Sequence, residues 1–139
     1  FLPQEGTSIV DGSPPHIAMI ARQRARKNVP KPTPKSYARF LYMNGVPAHR
    51  RRFMTGKLYA ESLRILTEKV FRLGMPDDIP RTWILTKRDR ALTPKMQREY
   101  IESLGGVQTL IEVDTCHMVM VSEPERLAEI LVERCRLYD

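Results

Sequence analysis

Hydrophobic and polar positions follow two different patterns along this chain, and the change falls at Pro80. Before it, prolines at 3, 14, 15, 30, 32, 34, 47, 76 and 80 exclude long sheet strands and confine helices to short segments between them. Three such helices are expected. One has Ser13 as N-cap, prolines in its first turn, Ile17, Ile20 and Ala21 on one face, and its end at Asn28-Val29-Pro30. A second follows Ser36, with Tyr37, Phe40 and Leu41 at helical spacing and Gly45 as its stop. A third runs roughly from Tyr59 to Leu73 on the repeat Leu63, Leu66, Val70, Leu73, and ends at Gly74.

After Pro80, strand and helix alternate. Thr82-Trp83-Ile84-Leu85-Thr86 is the short apolar, β-rich run of a strand buried in a parallel sheet. Thr93-Pro94 opens a helix whose buried stripe is Met96, Tyr100, Ile101 and Leu104, and Gly105-Gly106 closes it. Val107 to Val113 reads as a second strand. The last helix starts at Ser122 with Glu125 as its capping-box partner and runs through Leu127, Ile130, Leu131 and Cys135. The order β-α-β-α pairs its strands in parallel through a crossover, and two strands are not a whole doubly wound sheet. The fold class is therefore α/β, a parallel sheet flanked by helices, with further strands expected outside this sequence.

Composition narrows the function classes. A chain of 139 residues, 42% hydrophobic and 28% charged, is ordinary for one globular domain or part of one. No apolar run approaches the roughly 18 to 20 residues that cross a bilayer. Cys116 and Cys135 form no disulfide framework and no Cys/His spacing fits a zinc site, which favours a reduced, cytoplasmic setting. Residues 1–80 hold 14 Lys/Arg against 6 Asp/Glu, and residues 81–139 hold 9 against 10, so the net charge of +7 belongs to the first part. Its basic run of Arg22, Arg24, Arg26, Lys27, Lys31 and Lys35 lacks interleaved aromatic residues for base stacking, and reads as the solvated face of a helix. No nucleic-acid partner is expected.

Two titratable residues sit where active groups gather in open α/β sheets, beyond the carboxyl ends of strands. Asp89 lies in the loop Lys87-Arg88-Asp89-Arg90 after the first strand, and His117 in the loop Asp114-Thr115-Cys116-His117 after the second. Neighbouring parallel strands bring the two loops together, so the carboxylate can fix the imidazole tautomer and leave its other nitrogen free to take a proton. Asp114 is a poor rival, being too near His117 in the same loop. His16 and His49 follow no strand and read as surface or packing residues. Cys116 reads as a small buried hydrophobe, with a reactive thiol as the alternative. Met19, Met43, Phe53 and Met54 either line a hydrophobic pocket or form core.

An acid and then a histidine, each after a strand, is the second half of the Ser…Asp…His order of α/β-hydrolases. The segments TKRDRALTP with MQREYI, CHM, and SEPERLAEIL resemble the C-terminal part of that superfamily, in particular the branch of plant methylesterases, hydroxynitrile lyases and related bacterial esterases. FLPQEG resembles the exit from the sixth strand, and FLYMNGVP a cap-domain helix of that branch. The resemblance implies a helical cap over residues 1–78, the last two strands and helices of the core over 79–139, Asp89 as triad acid and His117 as triad base. Met118 stands where the lyases carry a lysine and the esterases a methionine, and an apolar thioether can line an acyl pocket. Cys116 stands where the branch carries an acidic or small residue.

The implied activity is hydrolysis of small hydrophobic carboxylic esters without metal or organic cofactor. The Gly-x-Ser-x-Gly elbow is absent from this sequence, so the nucleophile and oxyanion hole are expected before Phe1, on the same or a second polypeptide. Two alternatives stay open: an Asp-nucleophile enzyme of the epoxide hydrolase or dehalogenase type, and a non-catalytic ligand-binding relative. The expected partners are the ester and the other half of the fold. A homodimer is also open, and no membrane partner is expected.

Overall fold

The computed structural model describes residues 3, 5–71, 76 and 78–137. After a 3-10 turn over Ile9–Gly12, the elements are α1 Pro15–Lys27, β1 Lys31–Pro32, α2 Lys35–Tyr42, α3 Ala48–Gly56, β2 Ala60–Glu61 and α4 Arg64–Thr67. They continue with β3 Thr82–Thr86, α5 Pro94–Ser103, β4 Thr109–Val113, α6 Val119–Ser122 and α7 Pro124–Cys135. Two compact units emerge, one of Phe1–Thr33, Tyr59–Ile84 and Lys95–Ile111, the other of Pro34–Leu58, Leu85–Pro94 and Glu112–Asp139.

The expected β-α-β-α order is present. Strands β3 and β4 pair with each other. Arg81 bonds to Gln108 and Thr109 before the strands and Lys87 to Val113 after them, so both strands run in one direction. β3 has the expected bounds, whereas β4 begins at Thr109 rather than Val107 because the Gln108 side chain turns to accept the Arg81 N–H at 2.7 Å. α5 ends in a Schellman motif: the Gly106 N–H donates to Ile101 O and the Gly105 N–H to Glu102 O, with Gly105 at φ +78°. Its buried face is Tyr100 with half-buried Met96, Ile101 and Leu104. Gln97 is also buried and accepts a hydrogen bond from Trp83 Nε1 at 3.3 Å.

The segment before Pro80 departs further from expectation. α1 forms, but its N-cap is Pro14, because the Ser13 N–H closes the preceding turn on Val10 O. Ile17 and Ile20 are exposed, and the buried stripe is Ala18, Ala21 and Ala25, with Ala21 half-buried. The helix contacts the 3-10 turn and α4 within the same unit, and only side chains this small allow elements to approach closely. In α2, Ala38 is fully buried while Tyr37 and Phe40 are exposed.

A continuous helix over 59–73 does not form. Ala60 and Glu61 pair antiparallel with Pro32 and Lys31, and the Ser62 hydroxyl accepts the Arg64 N–H while donating to Asn28 Oδ1. Only Arg64–Thr67 is helical before the chain turns extended at Glu68 and Val70 pairs with Gly6 and Thr7. These alternative partners outcompete a helix whose apolar repeat is short. Leu73 and Gly74 lie outside the described residues, as do Phe1, Leu2 and Gln4 of the FLPQEG segment.

The capping box at Ser122 is also absent. Ser122 ends the short helix α6, its hydroxyl donating to Met118 O and pairing with the Thr115 hydroxyl, and α7 starts after Glu123 with Pro124 in its first turn. Ile130 is buried, but Leu131 and Cys135 are exposed. Helix α3, which no periodicity announced, follows Pro47 and contacts α2.

Candidate active site

The loop after β3 folds around its carboxylate. Asp89 Oδ1 accepts the backbone N–H groups of Ala91 and Leu92, each at 2.8 Å, and Oδ2 accepts the Thr86 hydroxyl at 3.0 Å. An aspartate bonded to amides two and three positions onward is a self-closing turn, which makes the local sequence itself hold the side chain still. The Asp89 side chain is 2% exposed.

The loop after β4 carries the imidazole. His117 Nδ1 lies 2.8 Å from Asp89 Oδ2. An ionised carboxylate only accepts, so Nδ1 carries the proton and donates, and Nε2 is left with its lone pair. Nε2 has no hydrogen-bond partner among the described residues, and the side chain is 33% exposed. A carboxylate sealed from water and an imidazole open on its far edge make an oriented proton acceptor.

Electrostatics favour the ionised acid. Burial pushes the Asp89 carboxyl up, but the hydrogen bond from His117, the Leu92 N–H, the charge of His117 and the Thr86 hydroxyl together outweigh it and hold it below the ordinary value of 3.8.

The His117 loop is tied at several points. Thr115 and Ser122 pair across it. The Met118 N–H donates to Tyr42 O at 3.3 Å, and Met118 packs beside a buried cluster of Met43, Val46 and Cys116 with Tyr42, Met54 and Val121. Arg88 bonds through its N–H to Thr115 O and through its guanidinium to Asp114, Nε to Oδ1 at 3.2 Å, so Asp114 turns away from the imidazole to an exposed ion pair.

The structure therefore brings Asp89 and His117 together, with Met118 packed beside the neighbouring buried cluster. Met43 belongs to the core, Met54 is half-buried against it, and Met19 and Phe53 are exposed. His16 and His49 are exposed. Cys116 is buried in the cluster. Sequence reasoning missed Thr86 and Tyr42. Thr86 carried a signal, a hydroxyl three positions before Asp89; Tyr42 carried none, because nothing in its own segment announces a contact across 75 residues.

Among the described residues no group of His, Cys, Asp and Glu is arranged to hold a metal ion, and no helix is long and apolar enough to cross a membrane.

The fold is the C-terminal part of the α/β-hydrolase fold, a parallel pair flanked by helices with short helices before it. The chain superposes on an extracellular α/β-hydrolase from a Paenibacillus species with a TM-score of 0.75 and 23% identity, covering 96% of this chain and 57% of that one. That protein is described as sharing structural and functional homology with tobacco Salicylic Acid Binding Protein 2. The methylesterase MES16 from Arabidopsis matches with a TM-score of 0.68 and 17% identity over 99% of this chain and 56% of that one. Polyneuridine aldehyde esterase matches with 0.60 and 17% identity over 73% and 41%. The chain thus spans about half the length of the structures it resembles. No protein-family model and no curated protein matches it in sequence.

Proposed function

We propose that the protein is a serine-type hydrolase of small hydrophobic carboxylic esters, in which this chain supplies the acid and base of a catalytic triad. The observation that carries the reading is the hydrogen bond of 2.8 Å between Asp89 Oδ2 and His117 Nδ1, with Nε2 open. A serine outside these residues attacks the ester carbonyl, and His117 Nε2 takes its proton. The imidazolium, held by Asp89, then protonates the leaving alcohol, and the same base activates water to release the acid. Met118 lines the acyl pocket. Residues 1–78 act as a cap, and residues 79–139 complete a core whose other half, with the nucleophile, is on the same or a second polypeptide. The esterase and methylesterase names of the superposed structures agree with this chemistry, as does the lack of a lysine after His117. Two unpaired cysteines, one buried, fit a reducing, cytoplasmic setting.

The test is the intact mass of the native material, followed by hydrolysis of p-nitrophenyl acetate and butyrate with and without a fluorophosphonate. Ester turnover that is lost when a serine outside these 139 residues is labelled supports the reading. Turnover that resists the reagent while an epoxide or haloalkane is consumed points to an aspartate nucleophile. A lone 16.1 kDa species that is folded and inert leaves a non-catalytic binding protein.

A further inference from the structure

We propose that Tyr42 is a positioning residue for His117: its ring lies against the imidazole and stabilises the imidazolium that proton transfer creates. The two ring centroids are 5.3 Å apart at an interplanar angle of 50°. That is inside the roughly 6 Å over which a cation feels the negative face of an aromatic ring. The contact is held from both sides. Tyr42 is the last residue of α2, half-buried against Met43, Val46 and Cys116, and its carbonyl accepts the N–H of Met118, the residue after the base. The backbone bond stays in any side-chain variant, so the ring can be removed without releasing the two segments from each other.

The charges around the imidazole leave the ring a distinct part. Asp89 faces it at Nδ1 from the β3 loop. Arg88 and Asp114, from the same two loops, are engaged with each other, and Arg90 lies over the Phe40 ring at 4.6 Å. Cys116, next in the chain, is buried in the adjacent cluster, and a further ionisable neighbour is the phenol of Tyr42 itself. Burial, then Tyr37 and then Asp89, raise its ionisation above the ordinary value of 10.0, so it meets the imidazolium as a neutral ring. Asp89 stabilises the cation at Nδ1, and the Tyr42 ring does so from the tilted contact beside it.

The role presupposes His117 as the general base, and its test is built to stand apart from that assignment. Tyr42→Phe, Tyr42→Leu and Tyr42→Met are compared by NMR titration of the His117 Cε1 proton in the complete native protein, together with the low-field Nδ1 proton that reports the bond to Asp89. Leu removes the ring, and Met fills the same half-buried site with a flexible chain if Leu prevents folding. The expected result is a titration midpoint lower by roughly half a pH unit in Leu and Met, because the protonated form loses its support, with the low-field proton retained and Phe unchanged. In the complete enzyme the acid limb of kcat/KM moves the same way for Leu and Met. A midpoint that stays in place, a shift as large in Phe as in Leu, or a shift accompanied by loss of the low-field proton overturns the proposal. A shift seen in a protein that hydrolyses no ester upholds the ring contact and sinks the esterase reading alone.

Discussion

Replacing Asp89 by alanine and by asparagine separates what the carboxylate does for the fold from what it does for the base. In Asp89→Ala the N–H of buried Leu92 and that of part-buried Ala91 lose their acceptor together. A hydrogen bond to a charged group contributes about 1.5–3 kcal/mol, and water replaces the second one more easily, so the loss is about 3 kcal/mol. With a urea slope of about 1.5 kcal/mol/M, the midpoint falls by about 2 M. Asp89→Asn keeps an oxygen for both amides and loses only charge assistance, about 1 kcal/mol. Its nitrogen faces Thr86 and His117, however, and donates to Nδ1, which forces the proton onto Nε2 and leaves the base without a lone pair. Ester turnover should then fall about 10⁴-fold while the fold persists.

The same pair gives a pH test. The folded carboxyl sits below 3.8, so its contribution is present above that value and is lost as pH falls through the lower folded one. The urea midpoint of the native protein should drop more steeply than that of Asp89→Asn as pH is taken from about 5 to about 3. Equal urea midpoints for the alanine and asparagine variants, or asparagine activity within tenfold of native, would refute the reasoning.

Three further perturbations follow from the same contacts. Thr86→Val removes the hydroxyl at 3.0 Å from Asp89 Oδ2; it should cost about 1 kcal/mol by chemical denaturation and flatten the acid-side stability profile, since one support of the ionised acid is gone. Met118→Ala trims an apolar side chain beside the base, and should raise KM for p-nitrophenyl butyrate several-fold more than for the acetate. Gly45 holds φ +86° between α2 and α3, with space for a Cβ 3.6 Å from an Arg88 nitrogen. Gly45→Ala should therefore lower stability by about 1–2 kcal/mol through backbone strain rather than collision, measurable as a shift in urea midpoint.

How far the sequence could be read depended on whether an element's partners lay near it in the chain. β3, α5 and β4 were legible because their signals are local: a β-branched run, a proline opening a helix, and two glycines whose amides close it on Ile101 and Glu102. The pairing of Asp89 with His117 was legible for the same reason, since each sits in the loop after a strand, and a parallel pair leaves those loops side by side. The segment between Tyr59 and Leu73 was not, because its leucines repeat at helical spacing while Ala60 and Glu61 are claimed by β1 and Val70 by Gly6 and Thr7, partners more than 25 residues away. Burial failed in α1 by the same logic. A stripe of isoleucines reads as a buried face until the neighbour it must approach accepts only Ala18 and Ala25. Ser122 shows the limit most clearly, for the hydroxyl that best fits a capping box is taken by Thr115 and the Met118 carbonyl. At Ser122 the demand for a fixed His117 loop outweighed the cap, and α7 began without a side-chain cap.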